Sequence, residues 1–160
     1  MSEKTEIFLA KVIAAIIIIL CCIEIAEASD KIETLFMKYN KRQAARIAYF
    51  VREAGKKYDI EPETIAAIIV VESDVQPHVI SRGGDYGLMQ VRYKVHKDKV
   101  KTANDLLDPK TNIFIGTKIF KQYYEQKKTL RGALIRYSGG NKKMAAKVLK
   151  VLKNELLQVR

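Results

Sequence analysis

Apolar residues recur along this chain at helical spacing, and the breaks between them define its elements. Leu35, Phe36 and Tyr39, followed by Ala44, Ile47, Ala48 and Val51, predict one or two helices between Lys31 and Tyr58, with Gly55 near the end. Ile60-Glu61-Pro62 marks the next entrance, because proline suits a first helical turn, and that helix is expected to run to about Val75. Pro77 to Tyr86 reads as a loop, in which Ser81-Arg82-Gly83-Gly84-Asp85 forms either a β-turn or a short hairpin. Asp108-Pro109 starts a further helix, lined by Ile113, Gly116, Ile119, Phe120 and Tyr123 to about Lys127. A short helix from Thr129 to Tyr137 is broken at Gly139-Gly140. Lys143 to Gln158 closes the chain as an amphipathic helix with Met144, Val148, Val151, Leu152 and Leu156 inward.

One polar residue breaks the pattern. Ile65, Ile68, Ile69 and Glu72 fall at i, i+3, i+4 and i+7, the spacing of an apolar face, so the Glu72 carboxyl points toward the core side. An ionised carboxylate buried without a partner costs several kcal/mol, and such a group raises its pKa and keeps its proton instead. A carboxylic acid still protonated near neutral pH is suited to protonating a glycosidic oxygen. The plainer reading is a helix-terminal glutamate that snorkels out or pairs with a lysine.

Ile7 to Ile23 is apolar except for Lys11. As a helix, this run would span about 26 Å, slightly less than a hydrocarbon core of about 30 Å. It also suits a signal-peptide core, with Ala26-Glu27-Ala28 as a small-x-small cleavage site. Residues 1–28 are therefore expected to be a cleaved signal peptide or an uncleaved membrane anchor, ahead of one domain over residues 29–160. Lys4 and Lys11 before the run, and Glu24, Glu27 and Asp30 after it, fit export of the domain. Cys21 and Cys22 both lie inside the run, leaving the exported part without thiol or disulfide chemistry.

The chain is 160 residues long with a formal net charge of +11. That length holds one core plus an appendage. The charge attracts polyanions, whether nucleic acid, anionic lipid or a carboxylate-rich wall, without choosing among them. A row of lysines at 143, 147, 150 and 153 forms a charged face on the last helix. His78 and His96 lack partners at metal-ligand spacing, so neither a metal nor another cofactor is expected.

Three blocks in order carry more specific information. Glu72-Ser73 leads through Pro77, Ser81 and Gly84 to Gly87-Leu88-Met89-Gln90; Asn112-Ile113 precedes Gly116; and Tyr137-Ser138-Gly139-Gly140 follows. Together they resemble the soluble lytic transglycosylase family over about Ile60 to Gly140, roughly half the chain. The resemblance implies an all-α, lysozyme-like domain that cleaves peptidoglycan between N-acetylmuramic acid and N-acetylglucosamine, leaving a 1,6-anhydromuramyl end. It implies Glu72 as the single catalytic acid and then base. It also implies substrate binding by Ser73, Ser81, Gly87, Leu88, Met89, Gln90 and Tyr137, the last with its hydroxyl near Glu72, and structural support from Asn112 and Gly116. At Ser138 the chain departs from the family's usual Asn, and Arg92-Tyr93 stands where the family has a proline nearby.

The expected partners are peptidoglycan strands in the periplasm or cell envelope, with a membrane contact through residues 7–23 and an envelope secretion or conjugation machine as further candidates. No specific nucleic-acid partner is expected. Two other functions compete: a lysozyme-like hydrolase, if Asp85 reaches the cleft, and a non-catalytic wall-binding component of a secretion apparatus.

Overall fold

The computed structural model describes residue 8 and residues 11–16 and 31–157. The expected leader lies largely outside these residues, and its cleavage site and both cysteines lie wholly outside. Among the described residues no helix is long and apolar enough to cross a membrane.

Residues 31–37 are helical (α1) and are separated by a turn from α2, Ala44–Tyr58. Ile32, Leu35 and Phe36 are buried, while Tyr39 falls in the turn and is exposed. Asp59, in the left-handed conformation, ends α2, and Gly55 lies inside this helix. Next comes α3, Pro62–Ser73, opened by proline in its first turn.

Helix α3 corrects the one-face expectation. Ile65, Ala66, Ala67, Ile68, Ile69 and Val70 are all buried, so the helix is enclosed on every side. It packs against α2, against α7 (Lys142–Val151) and against the π-helical turn Leu152–Leu156 that continues α7. A helix that is apolar all round belongs in a core. Its exit is abrupt: Asp74 and Val75 are both left-handed, at φ 49° and 58°. That conformation is unusual for a β-branched residue. Val75 is held in it by complete burial and by the Asn40 side-chain amide, which donates to its carbonyl at 3.0 Å.

Beyond α3 the chain forms an antiparallel hairpin, with β1 (Asp85–Tyr86) paired to β2 (Val91–Arg92) in the register Asp85↔Arg92 and Tyr86↔Val91. The turn of this hairpin is Gly87–Gln90, and the expected turn at Ser81–Asp85 is present just before it, closed by Gly84 N–H to Ser81 O at 3.1 Å and by an antiparallel bridge between Ile80 and Tyr86. Next come the short helix α4 (Tyr93–His96) and 3₁₀ turns at Lys97–Lys99 and Ala103–Leu107. The remaining helices, α5 (Pro109–Lys127), α6 (Leu130–Tyr137) and α7, start at side-chain caps. Asp108, Thr129 and Asn141 accept from the backbone N–H groups of Thr111, Gly132 and Met144. α5 packs against α2 and α6, and a single apolar core joins all of these helices. The architecture is all-α and lysozyme-like, with the hairpin as its one sheet among the described residues.

The hairpin turn is fixed from below by α5. Asn112 is fully buried, and its amide makes three hydrogen bonds. Its oxygen accepts from Met89 N at 2.7 Å, and its nitrogen donates to Tyr86 O at 2.7 Å and Leu106 O at 2.8 Å. Gly87 has φ +71°, and a Cβ there would overlap Leu106 O and lie 2.5 Å from Asn112 Nδ2. One turn along α5, Gly116 leaves the space that Met89 fills, since a Cβ would sit 2.6 Å from its Sδ.

Asn112→Ala takes this partner from two buried backbone groups, Met89 N–H and Leu106 C=O, and from the part-buried Tyr86 C=O. At 1–3 kcal/mol for each such group, partly offset by relaxation, it is expected to destabilise the fold by about 3 kcal/mol. Urea unfolding with an unchanged m-value and a lowered midpoint is the measurement that checks this.

Candidate active site

Where α3 emerges from the core it meets a cleft of about 540 Å³. Glu72, Ser81, Asp85, Gln90, Arg92, His96, Tyr123, Arg136 and Tyr137 are among the residues that line it. Glu72 is in the last turn of the enclosed helix, half-buried, with its carboxyl facing this space. Burial raises its pKa from the ordinary 4.5 to about 7, assisted by the negative charge of Asp85. The acid is dry because the helix beneath it is surrounded, not because a stripe of isoleucines continues through it.

Asp85 is a cleft residue of the opposite character. Arg92 grips it at two points, Nε to Oδ1 at 2.6 Å and Nη2 to Oδ2 at 3.0 Å, and Ser81 Oγ donates to Oδ2 at 2.9 Å. The Arg92 hydrogen bonds hold this carboxyl below the usual range against the opposing effect of burial; Ser81 and the Arg92 charge add to that. The cleft therefore contains two carboxyl groups with pKa values driven apart, one tending to stay protonated and one ionised.

Tyr137 donates its hydroxyl hydrogen to Met89 O at 2.8 Å, not to Glu72. Its ring is held edge-on to Phe120 and Tyr123 at 5.8 and 6.4 Å. Desolvation, with Glu72 next in importance, holds its pKa well above the ordinary value, so the hydroxyl stays neutral and its oxygen remains able to accept a hydrogen bond. Gln90 lines the cleft with φ 48°, and its amide NH₂ donates to Gly87 O at 2.9 Å and Val79 O at 3.2 Å. Only its oxygen is left for a ligand.

The other expected contacts are placed elsewhere. Ser73 is buried and donates toward Ile69 O and Leu88 O at 3.1 and 2.9 Å, tying the end of α3 to the hairpin turn. Leu88 and Met89 are fully buried, and Gly87 is buried beside Asn112. Ser73, Gly87, Leu88 and Met89 therefore build the wall behind the cleft surface. Glu72, Ser81, Gln90 and Tyr137 are brought together on the cleft itself. Ser138 Oγ lies within hydrogen-bonding distance of the Leu134, Ile135 and Asn141 carbonyls, which occupies it locally.

Sequence reasoning missed the Asp85–Arg92 pair as a unit, along with His96, Tyr123 and Arg136. The first had a signal, since residues seven apart across a tight hairpin are cross-strand partners once the turn is placed at Gly87–Gln90. Among the described residues, no group of three or more His, Cys, Asp or Glu side chains is arranged to hold a metal ion.

Residues 49–155 match the family model described as the transglycosylase SLT domain. Curated relatives include the membrane-bound lytic murein transglycosylase C of Salmonella arizonae and of Salmonella typhimurium. Each is 31% identical over 134 residues, covering 73% of this chain and 36% of the relative. The protein of the same name from Shigella sonnei is 30% identical over the same shares. The chain thus spans about a third of the length of these relatives.

A carboxyl with its pKa raised from 4.5 to about 7 in the fold makes stability fall as pH rises through that window. Across it the unfolded chain releases the proton that the folded chain retains. Glu72→Gln removes this cost. The variant is expected to match the parent below about pH 4.5 and to exceed it by roughly 3 kcal/mol above pH 7. Denaturant unfolding across pH 4–8 reads this directly, and a constant difference between the two proteins would show that Glu72 is not desolvated.

Proposed function

We propose, since this chain belongs to the transglycosylase SLT domain family, that its cleft binds peptidoglycan glycan strands. There it cleaves the bond between N-acetylmuramic acid and N-acetylglucosamine without consuming water. The observation that carries this reading is the half-buried Glu72 carboxyl, with a pKa near 7, opening onto the cleft.

The chemistry follows from one group used twice. Protonated Glu72 donates to the bridging oxygen, and the N-acetylglucosamine leaves as an alcohol. Positive charge develops at the muramyl anomeric carbon, next to the substrate's own N-acetyl group. The Glu72 carboxylate then takes the proton from the muramyl C6 hydroxyl as that oxygen closes on the anomeric carbon. The product is the 1,6-anhydro sugar, and Glu72 ends protonated, ready for another cycle. Tyr137 contributes a neutral hydroxyl whose oxygen is free to accept from the protonated acid. The ionised Asp85 is held in its ion pair with Arg92 on the same cleft, which leaves the proton transfers to Glu72.

Asp85 also supports a second reading, a hydrolase with a carboxylate pair of the kind that activates water. Its two oxygens are engaged by Arg92 and Ser81, which leaves it poorly suited to act as a base, so the single-acid transglycosylase is preferred. Either activity places the protein's work at the wall, in the cell envelope, where the expected leader would deliver it. A wall-binding component without catalysis would not need the dry acid.

Mass spectrometry of digested peptidoglycan is expected to show anhydromuramyl ends; reducing muramyl ends would favour the hydrolase. Glu72→Gln is expected to lower turnover by about 100- to 10,000-fold, and equal activity in the two proteins would remove Glu72 from the mechanism. Wild-type kcat/KM should fall as pH rises through about 7, where the acid loses its proton. Asp85→Asn removes the smaller of the two causes that raise this pKa, so the falling limb should move to lower pH, and an unmoved limb would show that Asp85 does not act on Glu72.

A further inference from the structure

The charges lining the cleft do not balance within the protein. Arg92 is neutralised by Asp85. His96 is kept toward its neutral form first by burial and then by Lys99, against the opposing charge of Asp98. That leaves Arg136. Its guanidinium lies over the Tyr123 ring at 5.4 Å, and among the described residues no carboxylate is within ion-pair distance of it. Arg136 is exposed on α6, immediately before Tyr137, and both residues line the same cleft as Glu72.

A guanidinium held over an aromatic face by cation–π attraction keeps its N–H donors free for another partner and loses less freedom when it binds, which suits a planar carboxylate. While the lactyl group of each muramyl residue is held in its amide to the peptide stem, the sugars of a glycan strand are neutral and call only for hydrogen bonds. The carboxylates of peptidoglycan are on the peptide stem, which hangs from the lactyl group of the muramyl residue, the same residue whose anomeric carbon reacts.

We propose that Arg136, held over the face of Tyr123, receives a carboxylate of the peptide stem, so that strands carrying peptides bind in preference to strands stripped of them. This inference rests on the transglycosylase reading and adds to it the part of the substrate that is recognised. Arg136 is a specificity residue here, remote from the bond-breaking step.

The test is a binding comparison in a Glu72→Gln background, so that the ligand survives. Tetrasaccharide fragments bearing stem peptides, and the same fragments stripped of peptide by an amidase with the lactyl carboxylates so exposed converted to their amides, are titrated by calorimetry. Adding Arg136→Gln is expected to raise Kd for the peptide-bearing fragment about tenfold, and Arg136→Glu further, with less than a twofold change for the stripped fragment. Salt should erode the difference. Equal weakening toward both fragments, or none toward either, overturns the proposal. Because Arg136 is exposed, both variants should melt with the parent. Cleavage of the two fragments by the wild-type protein is read separately. If neither is cleaved, the transglycosylase reading fails, and the binding comparison still decides whether Arg136 selects the peptide.

Discussion

A single buried amide organises the site. Asn112 satisfies one backbone donor and two backbone acceptors at the base of the hairpin turn, at 2.7–2.8 Å. Buried backbone groups without partners are costly, so the turn has one low-energy seat on α5. Much of the cleft wall refers back to that seat. Met89, held through its N–H, offers its carbonyl to Tyr137; Leu88 offers its carbonyl to Ser73 at the end of α3. The same few backbone atoms therefore set the distance between the acid's helix, the hairpin and α6.

That rigidity is what allows an acid to be kept dry. Helix α3 is enclosed by neighbours until its last turn, and the sharp left-handed exit at Asp74 and Val75 stops it there. Each departure from comfortable geometry costs stability: the desolvated carboxyl, the left-handed Val75 and the left-handed Gln90. They cluster around the cleft and are held by complete burial of Val75 and by hydrogen bonds to the backbone. Local cost concentrated at one surface is characteristic of sites selected for chemistry over stability.

Much of this was legible in the chain. Periodic apolar residues and turn chemistry located α2, α3, α5, α6 and α7 to within a few residues, and Asp108-Pro109 located the start of α5, whereas the short α4 was not foreseen. The acid was legible too, though for a reason that needed correction: the isoleucine spacing suggested a stripe, whereas α3 is buried all round. The least legible part was the use of each motif residue. Ser73, Gly87, Leu88 and Met89 share a motif with Gln90, yet only Gln90 is among the residues that line the cleft, because the turn is seated with its apolar side chains inward.

Caps, proline positions and apolar periodicity act within a turn or two of chain, so the long helices, most of their ends and the family motifs are written in residue order. Which groups meet across the cleft is set only when the elements pack. That packing gave Arg92 to Asp85, turned the Tyr137 hydroxyl to Met89, and laid Arg136 on Tyr123 with no acid to pair with. Those choices depend on how helices and hairpin are oriented around a shared core. No local rule carries that information, since a shift of one residue in register or a rotation of one helix would exchange every partner.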